Sequence, residues 1–232
     1  TRLGKPILQH LYEVPTDEYL GVAERRARWC GFNFIHEMNN RLLEHAPSSL
    51  RWLDVERLAS RIGRDNWNDS RLYNHGKFGF SPKFLPEYTT LLSAALRGVL
   101  GVNKKALIID LDNTLWGGVI GDDGLSGIRL GPDTVEGEAY EAFCNYIKGL
   151  GKRGVILGIC SKNEFSIARE VFDKHPNMPL SLDDFAIVTC NWNDKASNLL
   201  SIAKELNIDN SALVFVDDNP AECELIRQVL PN

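Results

Sequence analysis

Short apolar runs alternate with longer amphipathic stretches along the second half of the chain. The run 106–110 is apolar until it ends in an aspartate, and similar runs cover 154–160, 185–189 and 212–216. Because short apolar runs are typical of strands buried on both faces, we predict four parallel strands. The stretches between and after them are predicted to be helices, over residues 135–153, 164–174, 194–206 and 220–230. This alternation predicts an α/β fold, a parallel sheet covered by helices on both faces.

The first hundred residues have a less regular pattern, and we expect them to form an incomplete α/β segment. Residues 65–81 are rich in Asn, Asp, Gly and aromatic side chains, which predicts a loop. The other predicted elements are strands at 6–10 and 51–54, and helices at 33–45, 55–62 and 82–100. We therefore divide the chain into domains 1–100 and 101–232.

Composition narrows the class of protein. The chain has 232 residues, of which 44% are hydrophobic and 25% charged, the usual balance of a globular protein. No apolar run approaches the roughly 20 residues of a membrane span, so no membrane partner is expected. The net charge of −5 and the lack of a basic cluster argue against a nucleic-acid partner. Because the first residue is Thr1, we expect a piece of a longer protein, with the C-terminal end of the second domain missing.

The cysteine pattern favours a cytoplasmic location. The five cysteines are an odd number, they are scattered, and no two have Cys-x-x-Cys spacing. This pattern fits reduced thiols and argues against the common structural zinc sites.

Two carboxylates stand where the first strand of the second domain ends. Ligands of parallel sheets bind at the carboxyl ends of the strands. Residues two apart on a strand share a face, so Asp110 and Asp112 are expected to reach the same site. Two carboxylates that lie close together repel each other unless a cation or a proton lies between them. A hard divalent cation with oxygen ligands, Mg²⁺ above all, would resolve this conflict.

Further polar groups follow the later strands in turn. The segment Ser161-Lys162-Asn163 follows the second strand, Lys195 begins the helix after the third, and Asp217 and Asp218 end the fourth. Taken singly, each group could be a helix cap, a turn residue or a solvated side chain. Folding does not require all of them at successive strand ends. Together they predict a site for a phosphate group and a metal ion.

These residues resemble the motifs of the haloacid-dehalogenase (HAD) superfamily of phosphohydrolases. The resemblance comprises Asp-x-Asp-x-Thr at 110–114, Ser161, Lys195 and the acidic pair at 217–218. More narrowly, the chain resembles the FkbH-like family over roughly residues 70–232. The segments that carry this narrower likeness are Asp110-Leu-Asp-Asn-Thr-Leu-Trp-Gly-Gly-Val-Ile-Gly-Asp-Asp-Gly124, Cys160-Ser-Lys-Asn163 and Phe215-Val-Asp-Asp-Asn-Pro220.

The resemblance implies a Rossmann-like fold and a role for each residue at the strand ends. Asp110 would attack phosphorus and form an aspartyl-phosphate, and Asp112 would protonate the leaving group and then deprotonate water. Lys195 would balance the negative charge. The implied substrate-binding residues are Thr114, Ser161, Lys162 and Asn163. The implied ligands of Mg²⁺ are the side chains of Asp110 and Asp217, the main-chain carbonyl of Asp112, and Asp218 directly or through water.

The spacing of the motifs leaves no room for a large cap domain over the site. Residues 116–131 are predicted to form a glycine-rich hairpin flap that turns at 121–124. An uncapped site suits a bulky substrate, such as a group carried by a protein. FkbH-like proteins transfer a glyceryl unit from 1,3-bisphosphoglycerate to the thiol of an acyl carrier protein, with loss of phosphate. Two alternatives remain open: a capless phosphatase acting on a protein or a small phosphoester, and a non-catalytic interaction domain.

A cysteine at the site is a candidate acyl carrier. Cys160, and less so Cys190, lies at a strand end beside the predicted site, where Lys195 and Mg²⁺ would acidify a thiol. The alternative, which we favour, is direct transfer to the thiol of the partner, because strand alternation can turn Cys160 into the core.

The first domain resembles the end of an SGNH-hydrolase-like domain without its catalytic motifs. It has no Gly-Asp-Ser block, and Asp69 is followed three residues later by Leu72 rather than by histidine. We therefore expect no esterase activity, and we expect His75 to be a loop residue.

Overall fold

The computed structural model describes residues 6–16 and 19–231, and it divides into two compact units, Thr1–Val102 and Asn103–Asn232. In the first unit, two parallel strands pair from Ile7 opposite Leu50 to Leu11 opposite Asp54. The elements of this unit are β1 (Ile7–Leu11), α1 (Gly31–His45), β2 (Leu50–Asp54), α2 (Val55–Ile62), α3 (Arg64–Trp67), α4 (Ser70–Gly76) and α5 (Leu85–Leu100), with 3₁₀ turns at Gly21–Arg26 and Pro82–Phe84.

The predicted loop over residues 65–81 is wrong, because this segment contains the end of α3 and the whole of α4. Its polar residues act as caps, since the Asp69 carboxylate accepts hydrogen bonds from the main-chain N–H groups of Arg71 and Leu72. Its aromatic residues pack inward, since Trp67 is fully buried and stacks on Phe80 at 4.4 Å between ring centroids. Residues that are typical of loops therefore cap a helix and pack in the core here.

The second unit is a four-stranded parallel sheet between layers of helices, as predicted. The strand order is β5-β4-β3-β6, and all three strand pairs are parallel. The elements are β3 (Ala106–Ile109), α6 (Ile120–Gly127), α7 (Val135–Lys152), β4 (Ile156–Ser161), α8 (Phe165–Lys174), β5 (Ile187–Cys190), α9 (Lys195–Glu205), β6 (Leu213–Val216) and α10 (Pro220–Val229), with 3₁₀ turns at Leu182–Asp184 and Asn210–Ala212.

Alternate residues of the central strand feed two separate hydrophobic cores. Leu107 and Ile109 pack on the side of α6, α7 and α8, while Ala106 and Ile108 pack on the side of α9 and α10. All four residues are buried, as expected for a strand covered on both faces. This central position holds the residues that follow β3 at the carboxyl edge of the sheet.

The predicted hairpin flap over residues 116–131 is also wrong, because α6, which has a kink at Gly124, occupies half of it. One antiparallel bridge, between Gly117 and Arg129, joins the two ends of this segment. The Asp123 carboxylate accepts a hydrogen bond at 2.8 Å from the N–H of Val119, the residue that precedes the helix. An acid that reaches back in this way stabilises a helix N-terminus, so the acidic pair that predicted a turn begins a helix.

No cap domain stands between the first two motifs in the described part of this unit. The chain between β3 and β4 contains α6 and α7, and the chain between β4 and α9 contains α8, a 3₁₀ turn and β5. Among the described residues, no helix is long and apolar enough to cross a membrane.

Candidate active site

Asp110 is the first residue after β3, and its position is fixed from both sides. Its main-chain N–H donates to the carbonyl of Val216 at 2.9 Å, which ties it to the end of β6. Its side chain is buried beside the hydroxyl of Ser161. Burial raises the pKa of this carboxyl, and the Lys195 charge and the Ser161 hydroxyl offset only part of that rise.

Lys195 is the cation of the site and begins α9. The helix is capped by Asp194, whose carboxylate accepts a hydrogen bond from the N–H of Ser197 at 2.8 Å. The Lys195 Nζ lies 2.5 Å from Asp217 Oδ2 and 3.2 Å from Asp110 Oδ1. Burial alone would lower the pKa of Lys195, but Asp110 and Asp217 outweigh it and raise the pKa. The ammonium therefore bridges two carboxylates that would otherwise repel each other.

Three carboxylates of the site could hold a metal ion. Oxygen atoms of Asp110, Asp217 and Asp218 all lie within 4.8 Å of one another. Asp110 Oδ1 is buried and accepts no hydrogen bond from the described residues, since its contact with Lys195 is an ion pair outside hydrogen-bond geometry. A buried carboxylate oxygen without a donor costs free energy that a cation would recover. An all-oxygen set suits Mg²⁺, so these residues fit the predicted ion.

Thr114 joins the first motif to the last. Its Oγ1 accepts a hydrogen bond from the main-chain N–H of Asp218 at 3.1 Å. The turn that presents it is tight, since Asn113 has a left-handed φ of 53° and its Oδ1 accepts from the N–H of Gly118 at 2.9 Å. Gly118 itself has a φ of 100°, a conformation that a side chain would strain. Thr114 therefore organises the loop, and its predicted contact with substrate stays a prediction.

Asp112 does not share a strand face with Asp110, because β3 ends at Ile109. Its carboxylate is instead held by three donors from the surrounding loops. Oδ1 accepts from Trp116 Nε1 at 2.9 Å and from the N–H of Ile120 at 3.1 Å. Oδ2 accepts from the side-chain amide of Asn163 at 2.8 Å.

Asn163 and Ser161 lie between the two aspartates of the first motif. The Asn163 amide that donates to Asp112 also donates to Ser161 Oγ at 3.2 Å, and the Ser161 hydroxyl lies close enough to Asp110 to lower the pKa of its carboxyl. Asn163 and Ser161 are both buried. The structure thus brings Ser161 and Asn163, predicted as substrate-binding residues, into contact with the predicted catalytic pair.

Lys162 points away from this network. Its Nζ lies 2.5 Å from Oε1 of Glu222 on α10. Its predicted role in substrate binding stays a prediction, and the contact that the structure gives it is an ion pair.

The sequence pattern predicts no role for Trp116 or for the main chain of Ile120, although both contact Asp112. The signal for Trp116 was available, since an indole four residues after the acid lies within the quoted motif. The contact from Ile120 depends on α6, and the glycines of this segment predicted a hairpin in place of that helix.

The surroundings of Cys160 contradict the possibility that Lys195 acidifies its thiol. Cys160 is fully buried in the core cluster that includes Ala196 and Leu199. Burial raises the pKa of its thiol to about 12, and the nearby Lys195 charge offsets only part of the effect. Burial likewise raises the pKa of Cys190 to about 11. The structure therefore gives no support to Cys160 as an acyl carrier.

His75 of the first unit is exposed and lies in α4, where a loop was expected. Asp69 caps that helix, as described above. The likeness of this unit to an SGNH-hydrolase-like domain stays a prediction.

Comparison with solved structures identifies the fold of the chain. No protein-family model matches the chain, and no curated protein matches it. A crystal structure of the N-terminal part of the protein BF1531 from Bacteroides fragilis, containing a phosphatase domain and complexed with Mg, has a TM-score of 0.88 and 32% identity over 97% of this chain. The chain spans 61% of that protein's chain.

A second structure is a HAD family enzyme, BT-2542 of Bacteroides thetaiotaomicron, in complex with magnesium and inorganic phosphate. It has a TM-score of 0.39 and 14% identity, and the match covers 54% of this chain and 90% of that one. The likeness to BF1531 shows that the chain has the Rossmann-like fold predicted from its motifs.

Proposed function

We propose that the chain is a Mg²⁺-dependent phosphohydrolase or transferase that acts through an aspartyl-phosphate on Asp110. The observation that carries the proposal is the environment of this carboxylate. Asp110 is buried, one of its oxygens accepts no hydrogen bond, Lys195 lies 3.2 Å away, and two further carboxylates lie alongside. A nucleophilic carboxylate needs this combination of restricted solvation and nearby positive charge.

The residues of the site divide the chemistry between them. Asp110 attacks phosphorus, and Lys195 balances the charge that develops on the phosphoryl oxygens. Asp112 gives a proton to the leaving group and later takes one from water, while Ser161 donates to a phosphate oxygen. Asp110, Asp217, Asp218 and the carbonyl of Asp112 would hold Mg²⁺, which supplies charge neutralisation when bound. The Mg in the BF1531 structure supports Mg²⁺ as the ion.

The proposed substrate is an acyl phosphate such as 1,3-bisphosphoglycerate. The thiol of an acyl carrier protein would attack its acyl carbon and release the acyl phosphate group as inorganic phosphate, while Asp110 would take the phosphoryl group of the phosphate ester, so that a glyceryl unit remains on the carrier. Two observations support it. The long first motif resembles the FkbH-like family, and the described part of the unit has no cap domain that would exclude a protein partner. Because Cys160 is buried with a raised pKa, we favour direct transfer to the carrier thiol.

Phosphate release tests the proposed chemistry. The purified chain is incubated with 4-nitrophenyl phosphate with and without Mg²⁺, beside Asp110→Asn and the matched surface variant Asp183→Asn. We expect Mg²⁺-dependent release that Asp110→Asn abolishes and Asp183→Asn leaves intact. No release from any phosphate ester would favour the non-catalytic interaction domain instead.

A second assay tests the substrate. The chain is given freshly made 1,3-bisphosphoglycerate with a panel of acyl carrier proteins, and the intact mass of each carrier is measured. A glyceryl adduct on a carrier supports the proposal. Phosphate release without any adduct would favour a capless phosphatase acting on a protein or a small phosphoester.

A further inference from the structure

The hydrogen bonds around Asp112 distinguish its two oxygens. Oδ1 accepts two N–H groups, from Trp116 and from the main chain of Ile120, whereas Oδ2 accepts one, from Asn163. A carboxylate oxygen offers about two lone-pair directions. Oδ1 is therefore fully occupied, and Oδ2 keeps one position open for a proton.

We propose that Trp116 is a positioning residue that directs proton transfer through Asp112 Oδ2. The inference rests on the proposed function, in which Asp112 is the acid and the base. With two donors fixed on Oδ1, the neutral carboxyl carries its hydrogen on Oδ2. The indole and the amide of Ile120 also prevent rotation of the carboxyl group, which would exchange the two oxygens.

The two steps of the reaction use this oxygen in opposite directions. In the first, Asp110 bonds to phosphorus, the bond from phosphorus to the leaving-group oxygen breaks, and that oxygen takes the proton from Asp112 Oδ2. In the second, a water oxygen bonds to phosphorus and gives its proton to Oδ2. The bond to Asp110 then breaks, which releases inorganic phosphate and restores both residues.

The surroundings of Trp116 show that it is held rigidly enough for this role. Its side chain is fully buried in the core between the sheet and α8, where its ring packs edge-on against Phe172 at 5.7 Å. A displacement of about 1 Å of a catalytic group costs up to about 10²-fold in rate, so the fixed indole matters for turnover.

The test is Trp116→Phe, with Trp116→3-benzothienylalanine as a second variant that keeps the bicyclic shape and loses only the N–H donor. Phe172→Leu is the matched control, because it disturbs the packing of the indole without removing its hydrogen bond. Each protein is mixed rapidly with 4-nitrophenyl phosphate, which has a good leaving group, and with an alkyl phosphate, which has a poor one. Nitrophenolate, inorganic phosphate and phospho-enzyme are followed separately.

We expect both Trp116 variants to form phospho-enzyme from 4-nitrophenyl phosphate at nearly the wild-type rate, because that leaving group needs no proton. Hydrolysis of the phospho-enzyme should slow about 10- to 100-fold, part of the 10²–10⁴ that acid–base catalysis contributes. A burst of nitrophenolate and accumulated phospho-enzyme then follow. The first step with the alkyl phosphate should slow by a similar factor. In Phe172→Leu, where the indole N–H donor remains, both effects should be much smaller than in the Trp116 variants.

The contrary outcomes are distinct. In the benzothienylalanine variant, an equal slowing of phospho-enzyme formation from both substrates would reject the role of Trp116. A burst of the same size in Phe172→Leu would also reject it. Either result would leave the proposed function intact. A wild-type chain that forms no phospho-enzyme from either substrate would overturn both.

Discussion

Lys195 and Asp217 form a buried ion pair in which Nζ lies 2.5 Å from Oδ2 and neither side chain is more than 4% exposed. The two residues come from α9 and from the end of β6, and Asp110 makes the second contact of the ammonium. A buried charge that loses its partner is strongly destabilising. The pair is therefore part of the structural framework as well as of the proposed chemistry.

Lys195→Met should lower the free energy of unfolding by about 3–5 kcal/mol at neutral pH without added metal, because two buried carboxylates lose their cation. Chemical denaturation measures this loss. Since the pKa of Lys195 is raised above its ordinary value of 10.5, the stabilisation is complete below that pH. It disappears as the pH rises through the raised value, so the difference from wild type should shrink there.

The matched control for this prediction is Lys204→Met, which removes an exposed lysine from the same helix. It should change the free energy of unfolding by no more than about 0.5 kcal/mol. Comparable losses in the two variants would contradict the importance assigned to the buried pair.

Asp110→Asn should abolish phosphate release and leave the fold intact. An amide does not attack phosphorus, and its nitrogen is no ligand for a hard cation. Circular dichroism checks the fold, and the release of inorganic phosphate checks the activity. Residual turnover above a few per cent of wild type would argue against Asp110 as the nucleophile.

Asp218→Asn should raise the Mg²⁺ concentration needed for half-maximal activity, because one of three clustered carboxylates loses its charge. Because Asp218 is exposed, this substitution should not disturb the fold. A titration of activity against Mg²⁺ measures the effect, and Asp183→Asn is the control of equal charge change. An unchanged Mg²⁺ dependence would remove Asp218 from the ligand set.

Cys160 should resist alkylation and acylation in the folded chain. With a pKa of about 12, only about one thiol in ten thousand is ionised at pH 8, and the side chain is buried. Iodoacetamide labelling followed by peptide mass mapping should find Cys160 unmodified until the chain is unfolded. Labelling of Cys160 as fast as that of the partly exposed Cys223 would contradict this expectation.

The α/β fold and the strand ends of the second unit could be predicted because burial on both faces leaves a plain pattern. Alternate residues of β3 feed the two cores, so every position of that strand must be apolar until Asp110. The polar residues that follow each strand were then found from topology alone, since parallel strands end at one edge of the sheet.

Other parts of the site depend on contacts that no periodicity records. The hydrogen bond from Trp116 to Asp112 and the helix that begins at Ile120 both arise from a tight turn stabilised by Asn113 and Gly118. The glycines and the acidic pair of that segment predict a hairpin. The segment forms a helix instead, whose N-terminus is stabilised by the contact of Asp123 with Val119. The burial of Cys160, by contrast, follows from strand alternation, because one step along β4 exchanges a site position for a core position.

The register of two strands decides whether the carboxylate cluster exists. Asp110 and Asp217 follow immediately after Ile109 and Val216, which are paired residues of β3 and β6. A slip of one residue in β6 would turn Asp217 to the opposite face of the sheet and dissolve the cluster. A divalent cation that binds there therefore recognises only chains whose β6 has docked in the correct register. During folding, the ion would stabilise only the chains whose strands are correctly aligned, and it would therefore shift the equilibrium away from misaligned pairings.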